Sequence, residues 1–236
     1  MNYSVIIAAG GNGGRMGLPY NKMFYTLANG HTILQTSVNL FKNDINCKQI
    51  IIATNPDDMP RLSNLHGGRI VIVNGGKTRQ ESVFNGLMAV NQNVVLVHDG
   101  ARPWCTQESI DGLLKAMHKD KAAILAVPEI ETVKVVENGY LTKTIARNNL
   151  MHAQTPQAFN TDLLVKCHHK ALEEHFSATD DAQLIERYSD VPIKIVEGNY
   201  ANIKITTMND VSKYLLTGYF LCPVFNTKKD RLTTIF

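Results

Sequence analysis

A chain of 236 residues, 44% apolar and 19% charged, can build one large α/β domain and is too apolar for a disordered polymer. Its net charge of +3 gives no basic footprint for nucleic acid and fits small anions bound locally. Four scattered cysteines (Cys47, Cys105, Cys167 and Cys222) argue against zinc and disulfide frameworks and for reduced thiols in the cytosol, and no run has the character of a signal peptide or a membrane span.

The first apolar run, Val5–Ala9, predicts a buried strand that breaks at once into glycine, at positions 10, 11, 13, 14 and 17. Glycines let backbone N–H groups approach a ligand closely, and successive N–H groups make an electropositive nest suited to phosphate. Arg15 and Lys22 add two full charges to the same loop. The alternative is a glycine-rich turn with two solvated cations. Two familiar phosphate loops are excluded. A P-loop needs Lys and then Ser or Thr after its glycines, whereas Gly14 is followed by Arg15-Met16. The dinucleotide fingerprint needs an acidic residue ~20 positions on, which here falls near Ile33-Leu34 in a helix start.

Further strands are expected at Gln49–Thr54, Arg69–Val73, Val94–His98 and Ala122–Val127. Helical patterns lie between them, at Thr32–Asn43, Asp57–Leu65, Arg79–Val90 and Thr106–Lys119. Near-continuous apolar strands alternating with amphipathic helices predict a Rossmann-like, mostly parallel α/β sheet covered on both faces. Ligands in such sheets bind beyond the carboxyl ends of the strands. Gly10–Lys22, Gly75–Arg79 and Asp99–Pro103 should therefore converge on one cleft.

The rhythm then changes. Glu131–Glu137 and Leu141–Ile145 flank Asn138-Gly139, a strong hairpin signal. A hairpin outside the βα alternation should project as an arm, here residues 130–147, and seldom stands alone in water, so it is a candidate for pairing two subunits. After Arg147 and Ala153–Gln157, a helix is expected from Thr161 to about Glu174, and a short one opening at Thr179-Asp180-Asp181 with Thr179 as N-cap. Pro192–Glu197 and Asn202–Thr206 suggest strands, and Asn209–Phe220 a final helix. The whole chain, 1–236, then forms a single domain, with residues 222–236 a poorly ordered tail.

Several residues have a chemical reading beside a bland one. Arg15 and Lys22 suit the stabilisation of charge on a transferring phosphorus. Arg79, after the paired glycines, would contact base, ribose or phosphate, or merely cap a turn. Asp99 at a strand's carboxyl end is a natural Mg²⁺ partner, or a turn aspartate paired with Arg102. His98 has no triad around it and reads as structural. Arg147 and Lys204 are surface cations unless both enter the cleft to bind a second anion. Thr132, Thr155 and Thr179 would then offer it hydroxyls, or else serve turns and caps.

In order, AAG…RMG…NK, GGKTRQESVFNGL, VHDGARP, ETVK, RNNLMHAQTPQAF, TDDAQLIE and NIKIT resemble the 2-C-methyl-D-erythritol 4-phosphate cytidylyltransferases of the non-mevalonate isoprenoid pathway, from about Tyr3 to Tyr214. The resemblance implies transfer of CMP from CTP to the polyol phosphate, with Mg²⁺ and release of pyrophosphate. It gives transition-state roles to Arg15 and Lys22, and the substrate phosphate to Arg147 and Lys204. It puts the cytidine on the backbone of Ala8, Ala9 and Gly10, beside Gly11 and Gly100, and on Gly76, Arg79 and Ser82. Asp99 would hold the sugar or the metal, with Arg102, Thr132, Thr155 and Thr179 in the substrate pocket. It also implies a cytoplasmic homodimer in which one subunit's arm reaches its partner's site. Two departures stand out: an extra residue between Gly10 and Arg15, and Glu131-Thr132 where the family has Asp-Thr. Ribitol-5-phosphate cytidylyltransferase is the near rival; a sugar-1-phosphate nucleotidylyltransferase is more distant. A nucleotide-binding module without turnover is the alternative of another class, against which the full cation set argues.

Overall fold

The computed structural model describes residues 1–11, 14–65 and 67–216. Seven strands form one sheet: β1 (Tyr3–Ala8), β2 (Cys47–Thr54), β3 (Ile70–Asn74), β4 (Val94–Asp99), β5 (Ala122–Pro128), β8 (Met151–Asn160) and β9 (Lys194–Glu197). Their order is β3-β2-β1-β4-β8-β5-β9. Two further strands, β6 (Lys134–Glu137) and β7 (Tyr140–Thr144), make a separate hairpin. The helices are α1 (Ile33–Asn43), α2 (Arg79–Leu87), α3 (Gln107–Ala116), α4 (Thr161–Glu173), α5 (Asp181–Tyr188) and α6 (Met208–Leu216).

The expected α/β class is present, and the sheet works by strict alternation. Val5 and Ile7 of β1, with Ile50 and Ile52 of β2, face the core that contains α1 and α3. Ile6 and Ile51, one residue out of phase, join Val95 and Val97 on the other side, against α2, α4 and α5. Period-two alternation within runs that are apolar throughout is what burial on both faces requires. Short polar caps start the helices. Thr32 and Gln35 form a reciprocal capping box on α1, and Thr78, Thr106 and Asn160 each accept a backbone N–H at the start of α2, α3 and α4. Cys47, Cys105 and Cys167 are buried free thiols, and Cys222 lies outside the described residues.

The structure departs from the expectations in four places. The Ala153–Gln157 stretch lies in β8, a ten-residue strand antiparallel to both β4 and β5, so the sheet is mixed. The Asp57–Leu65 helix is 3₁₀ over Pro56–Leu65 with Pro60 inside it, where an α-helix would need the N–H that proline lacks. The N-cap of α5 is Asp180, whose Oδ1 accepts from Gln183 N, while the Thr179 N–H turns to Gln183 Oε1. A carboxylate accepts that N–H better than a hydroxyl. Asn202–Thr206 is not a strand; its N–H groups go elsewhere, Ile205 N to Ala101 O and Thr206 N to Asp210 Oδ2. The final helix is described to Leu216, and the expected tail lies outside the described residues. The Asn-Gly hairpin is as expected, with Asn138 and Gly139 at φ 52° and 85°. Almost every residue of this arm is exposed.

Helix α2 packs on β1 through Gly86, where a Cβ would meet Ile6 Cγ2 at 2.7 Å. Ile6 is fully buried and its branched side chain cannot swing away. Gly86→Ala gains ~1 kcal/mol of helix propensity but costs about 1–3 kcal/mol of overpacking. The expected result in differential scanning calorimetry is a Tm lower by a few degrees; a higher Tm would mean that α2 moves off the sheet freely.

Candidate active site

Strand β1 lies between β2 and β4, where the strand order reverses, and the crevice beyond that point is where such sheets bind ligands. The loop leaving β1 is pinned at both ends. Ala9 N bonds Ala53 O at 2.8 Å. Asn21 Nδ2 donates to Ala9 O and to Asp58 Oδ2, both at 2.8 Å, while its Oδ1 accepts from Met23 N. Asn21 thereby swings the chain back and turns Lys22 into the crevice. Asn12 and Gly13 of the glycine loop, which carries the extra residue, lie outside the described residues.

Lys22 is buried, and its Nζ donates to Ile205 O at 2.7 Å. Burial, then the charges of Arg15 and Lys204, pull its pKa below that of an ordinary lysine, with Asp99 and Asp210 opposing. Its bond to Ile205 O goes to a neutral carbonyl and takes one of the three ammonium protons.

Asp99, at the end of β4, is the hub. Arg79 Nε reaches its Oδ1 at 2.7 Å, and Lys204 Nζ its Oδ2 at 2.6 Å. Burial alone would raise its pKa, but Arg79 and then Lys204 override this and hold it well below the usual carboxylate range. Arg79 Nη1 also grips Asp181 Oδ2 at 2.7 Å. Burial works against the Arg79 charge, and the two carboxylates raise its pKa above normal. Burial alone would raise the Asp181 pKa, but Arg79 and then His168 bring it below normal, with His168 Nε2 3.4 Å from its other oxygen. The chain Asp181–Arg79–Asp99–Lys204 therefore runs from the core to the crevice with no net charge.

His98 is structural, as expected. Burial pushes it down to about 4, so the ring is neutral. Its Nε2 faces Arg102 O at 3.1 Å, and a carbonyl only accepts, so Nε2 carries the proton. Nδ1 then accepts from Thr155 Oγ1 at 3.4 Å, while that oxygen accepts from Asp99 N at 2.9 Å. The Thr155 hydroxyl is thus engaged in orienting Asp99.

Two joined cavities result. The larger, about 480 Å³, is lined by the Gly10–Gly11 backbone, Arg15, Lys22, the Gly76–Arg79 turn and Ser82. The smaller, about 250 Å³, is lined by Arg102, Gln154, Thr155, Gln157, Thr179 and Asp180. Arg79, Asp99 and Lys204 belong to both and form the wall between them. Gly76 is obligatory in its turn, since a Cβ there would lie 2.2 Å from Glu81 Cβ; its N–H donates to Ser82 Oγ at 3.0 Å.

Ala8 also lines the larger cavity, whereas Ala9 is buried and Gly100 is engaged through its backbone, donating to Ala8 O and accepting from Ser37 Oγ. Thr132 and Arg147 stand apart: both are exposed at the base of the arm, neither lines either of these two cavities, and the Arg147 guanidinium bonds Ile130 O. Sequence reasoning missed Asn55 of the larger cavity, although it follows β2 and the strand-end rule covers it. It also missed Gln154 and Gln157, which no motif of charge or glycine marks, and Asp180, which stood in the Thr179-Asp180-Asp181 stretch without a site role. Among the described residues no group of three or more His, Cys, Asp or Glu is placed to hold a metal, and no helix is long and apolar enough to cross a membrane.

The profile of the family IspD, 2-C-methyl-D-erythritol 4-phosphate cytidylyltransferase, matches residues 3–216. The enzyme of that name from Bacillus mycoides (strain KBAB4) is 41% identical over 215 residues, covering 89% of this chain and 94% of its own. The crystal structure of 4-diphosphocytidyl-2C-methyl-D-erythritol synthase from Anaerococcus prevotii superposes with a TM-score of 0.81 at 34% identity, over 91% of this chain and 96% of that one. The corresponding Francisella tularensis structure gives 0.80 at 35% identity, over 92% and 99%.

Asp99→Asn at pH 7 leaves Arg79 and Lys204 each short of a charge partner. The expected cost is on the order of 3 kcal/mol, mostly from the Arg79 side, because Lys204 is more than a third exposed. Asp99 has a folded pKa below its unfolded ~3.9, so its contribution is full above that value and lost as pH falls through the folded pKa. Denaturant titrations at pH 7, 3 and 2 should show the gap between the two proteins unchanged down to about pH 4 and narrowing below it; a gap that stays constant down to pH 2 would show that it does not come from the Asp99 charge.

Proposed function

The chain belongs to the 2-C-methyl-D-erythritol 4-phosphate cytidylyltransferase family, and we propose that its two joined cavities seat that reaction's two substrates, CTP in the larger and the polyol phosphate in the smaller. The enzyme transfers CMP from CTP to methylerythritol phosphate, giving CDP-methylerythritol and pyrophosphate. The observation that carries the seating is the shared wall of Arg79, Asp99 and Lys204, with cations reaching both sides of it.

The nucleophile is a phosphate monoester with a second pKa of ~6, already largely dianionic at pH 7, so no general base is needed. The obstacle is charge, since one anion must attack the α-phosphorus of another. Arg15 at the mouth and Lys22 in the floor stabilise the charge that builds on that phosphorus. Lys204 stands where the two cavities meet and draws the attacking phosphate towards it. Gly10, Gly11 and Gly76 admit the nucleotide to the backbone, with Ser82 and Arg79 beside it. Arg102 and Thr179 face the polyol side, and Thr155 acts there through Asp99.

Magnesium belongs to this reading as an ion brought by the nucleotide. Asp99 is the carboxylate common to both cavities, and both its oxygens already serve Arg79 and Lys204. That donor set fits an ion held mainly by triphosphate oxygens, as Mg²⁺ commonly is, with Asp99 in reach. When bound, the ion neutralises phosphate charge.

Arg147 and Thr132 are proposed to act on the smaller cavity of a second copy, in a homodimer joined through residues 130–147. Support comes from the arm itself, a lone two-stranded hairpin with Ile130, Val136, Tyr140 and Leu141 exposed. The rest of the chain then forms one catalytic domain, and buried free thiols suit a cytosolic setting.

Pyrophosphate release from CTP should occur with methylerythritol phosphate and not with ribitol 5-phosphate; the reverse would reassign the substrate. Lys22→Ala should lower kcat by about 10²–10³ with little change in CTP affinity, because its charge acts on the transition state. Equal losses in binding and turnover would count against that role. Arg147→Ala should mainly raise KM for the polyol phosphate. Mixing the Lys22→Ala and Arg147→Ala homodimers, at a polyol phosphate concentration well below the KM of the Arg147 variant, tests the arm: each mixed dimer holds one site with both Lys22 and Arg147 intact, so activity should return to roughly a quarter of normal. No recovery in mixtures that demonstrably exchange subunits would place Arg147 in its own subunit's site.

A further inference from the structure

Residues 198–205 carry Lys204 and the carbonyl that holds Lys22, yet they form neither helix nor strand. After β9 ends at Glu197, one more bond to β5 follows, from Gly198 N to Ala126 O at 2.9 Å. Beyond it the segment makes only short turn bonds of its own, Asn202 N to Asn199 O at 2.9 Å and Ile203 N to Ala201 O at 2.8 Å, and between Asn199 and Lys204 it is tied to other elements through side chains. Gln154 of β8 makes the fullest contact. Its Nε2 donates to Asn199 O at 2.9 Å, and its Oε1 accepts from Asn199 N and from Asn202 Nδ2, each at 3.3 Å. Donating to the C=O and accepting from the N–H of one residue is what a paired strand does in an antiparallel ladder. The Gln154 amide replaces a strand that is not there.

The surroundings are built for this contact. A Cβ on Gly198 would lie 2.5 Å from Gln154 Oε1, so glycine admits the amide. Asn202 extends the tie, with Nδ2 also donating to Thr155 O at 3.0 Å and its own carbonyl accepting from Arg102 Nη1 at 2.7 Å. Gln154 and Asn202 are both buried. Ile205 is fastened independently, through Ala101 O and Lys22 Nζ. Loss of Gln154 is therefore felt upstream of Ile205, between Asn199 and Lys204.

We infer that Gln154 is a positioning residue for nucleotidyl transfer, whose side-chain amide fixes the path of residues 199–204 and so sets Lys204 against Asp99. The inference rests on Lys204 acting at the junction of the two cavities, as proposed above. A misplacement of about 1 Å at a reacting centre costs ~10²-fold in rate, which a segment without its own backbone ladder readily allows.

Single-turnover transfer from radiolabelled CTP, with saturating polyol phosphate, tests this in a cycle of Gln154→Ala and Lys204→Ala. Gln154→Ala alone should slow the step about 10–100-fold with CTP affinity held within about twofold. In the Lys204→Ala background it should change the rate by less than about twofold, because coupled residues are non-additive. Gln154→Met keeps the length and adds no charge but removes both the donor and the acceptor; it should slow the parent enzyme similarly, and it takes the place of the alanine variant if that one fails to fold. Equal slowing in both backgrounds would show that Gln154 acts independently of Lys204 and overturn the inference, as would an unchanged rate in the parent. An unchanged rate for Lys204→Ala alone would instead overturn the role given to Lys204, a result separable from either of these.

Discussion

Everything in the crevice depends on one buried carboxylate. Arg79, Lys204, Lys22 and Arg15 gathered at one sheet edge would repel one another and the site would open. Asp99 takes one oxygen to Arg79 and one to Lys204, and Asp181 takes the far side of the Arg79 fork. Two positive and two negative charges therefore close a neutral wall. Lys22 is treated differently: its ammonium donates to a carbonyl, that of Ile205, rather than to a carboxylate. The site thus separates the cations that build the wall, Arg79 and Lys204, from Arg15 and Lys22, which line the larger cavity alone. Burial sharpens the distinction, because a charge in a low-dielectric setting acts more strongly on an incoming anion.

That division explains which parts of the site were legible from the sequence. Elements held by apolar periodicity were readable: β1, β2, β4 and β5 alternate their faces within continuous apolar runs, and the caps of α1 to α4 are the residue types that caps require. Strand ends followed, and with them Arg15, Lys22, Arg79 and Asp99. β8 was not readable. Its sequence, MHAQTPQAFN, has no alternating apolar pattern and contains a proline, yet Gln154 to Phe159 are all buried. Burying polar side chains costs stability unless each finds a partner, and here the partners are distant in sequence: Asn199 and Asn202 for Gln154, His98 and Asp99 for Thr155, Asp180 and Ala182 for Gln157. No local signal encodes such pairs. For the same reason Asn202–Thr206 looked like a strand, since its alternation is real but no strand lies beside it.

The arm raises the opposite problem. Its Asn-Gly turn is among the strongest short-range signals in the chain, and the hairpin forms where expected. Its purpose is not visible within one chain, because Thr132 and Arg147 face neither cavity. A local rule fixes local geometry completely and says nothing about which surface the element was shaped to meet.

The polar residues of β8 also show why the adapters are neutral. Gln154 stands beside a cavity whose wall contains Lys204 and Asp99. A carboxylate at that position would compete with Asp99 for the Lys204 ammonium, and an ammonium would pair with Asp99 and displace Lys204. An amide does neither. It offers one donor and one acceptor, the complement of a single peptide unit, and adds no net charge to a wall already balanced. Gln157 follows the same logic on the other side, donating to Asp180 Oδ2 and accepting from Ala182 N, and so sets the start of α5, from which Asp181 reaches Arg79. One antiparallel strand, inserted between β4 and β5 of an otherwise parallel sheet, thus carries two amides that fix the two ends of the chain Asp181–Arg79–Asp99–Lys204. The strand that breaks the parallel rule is the one that holds the charges in register.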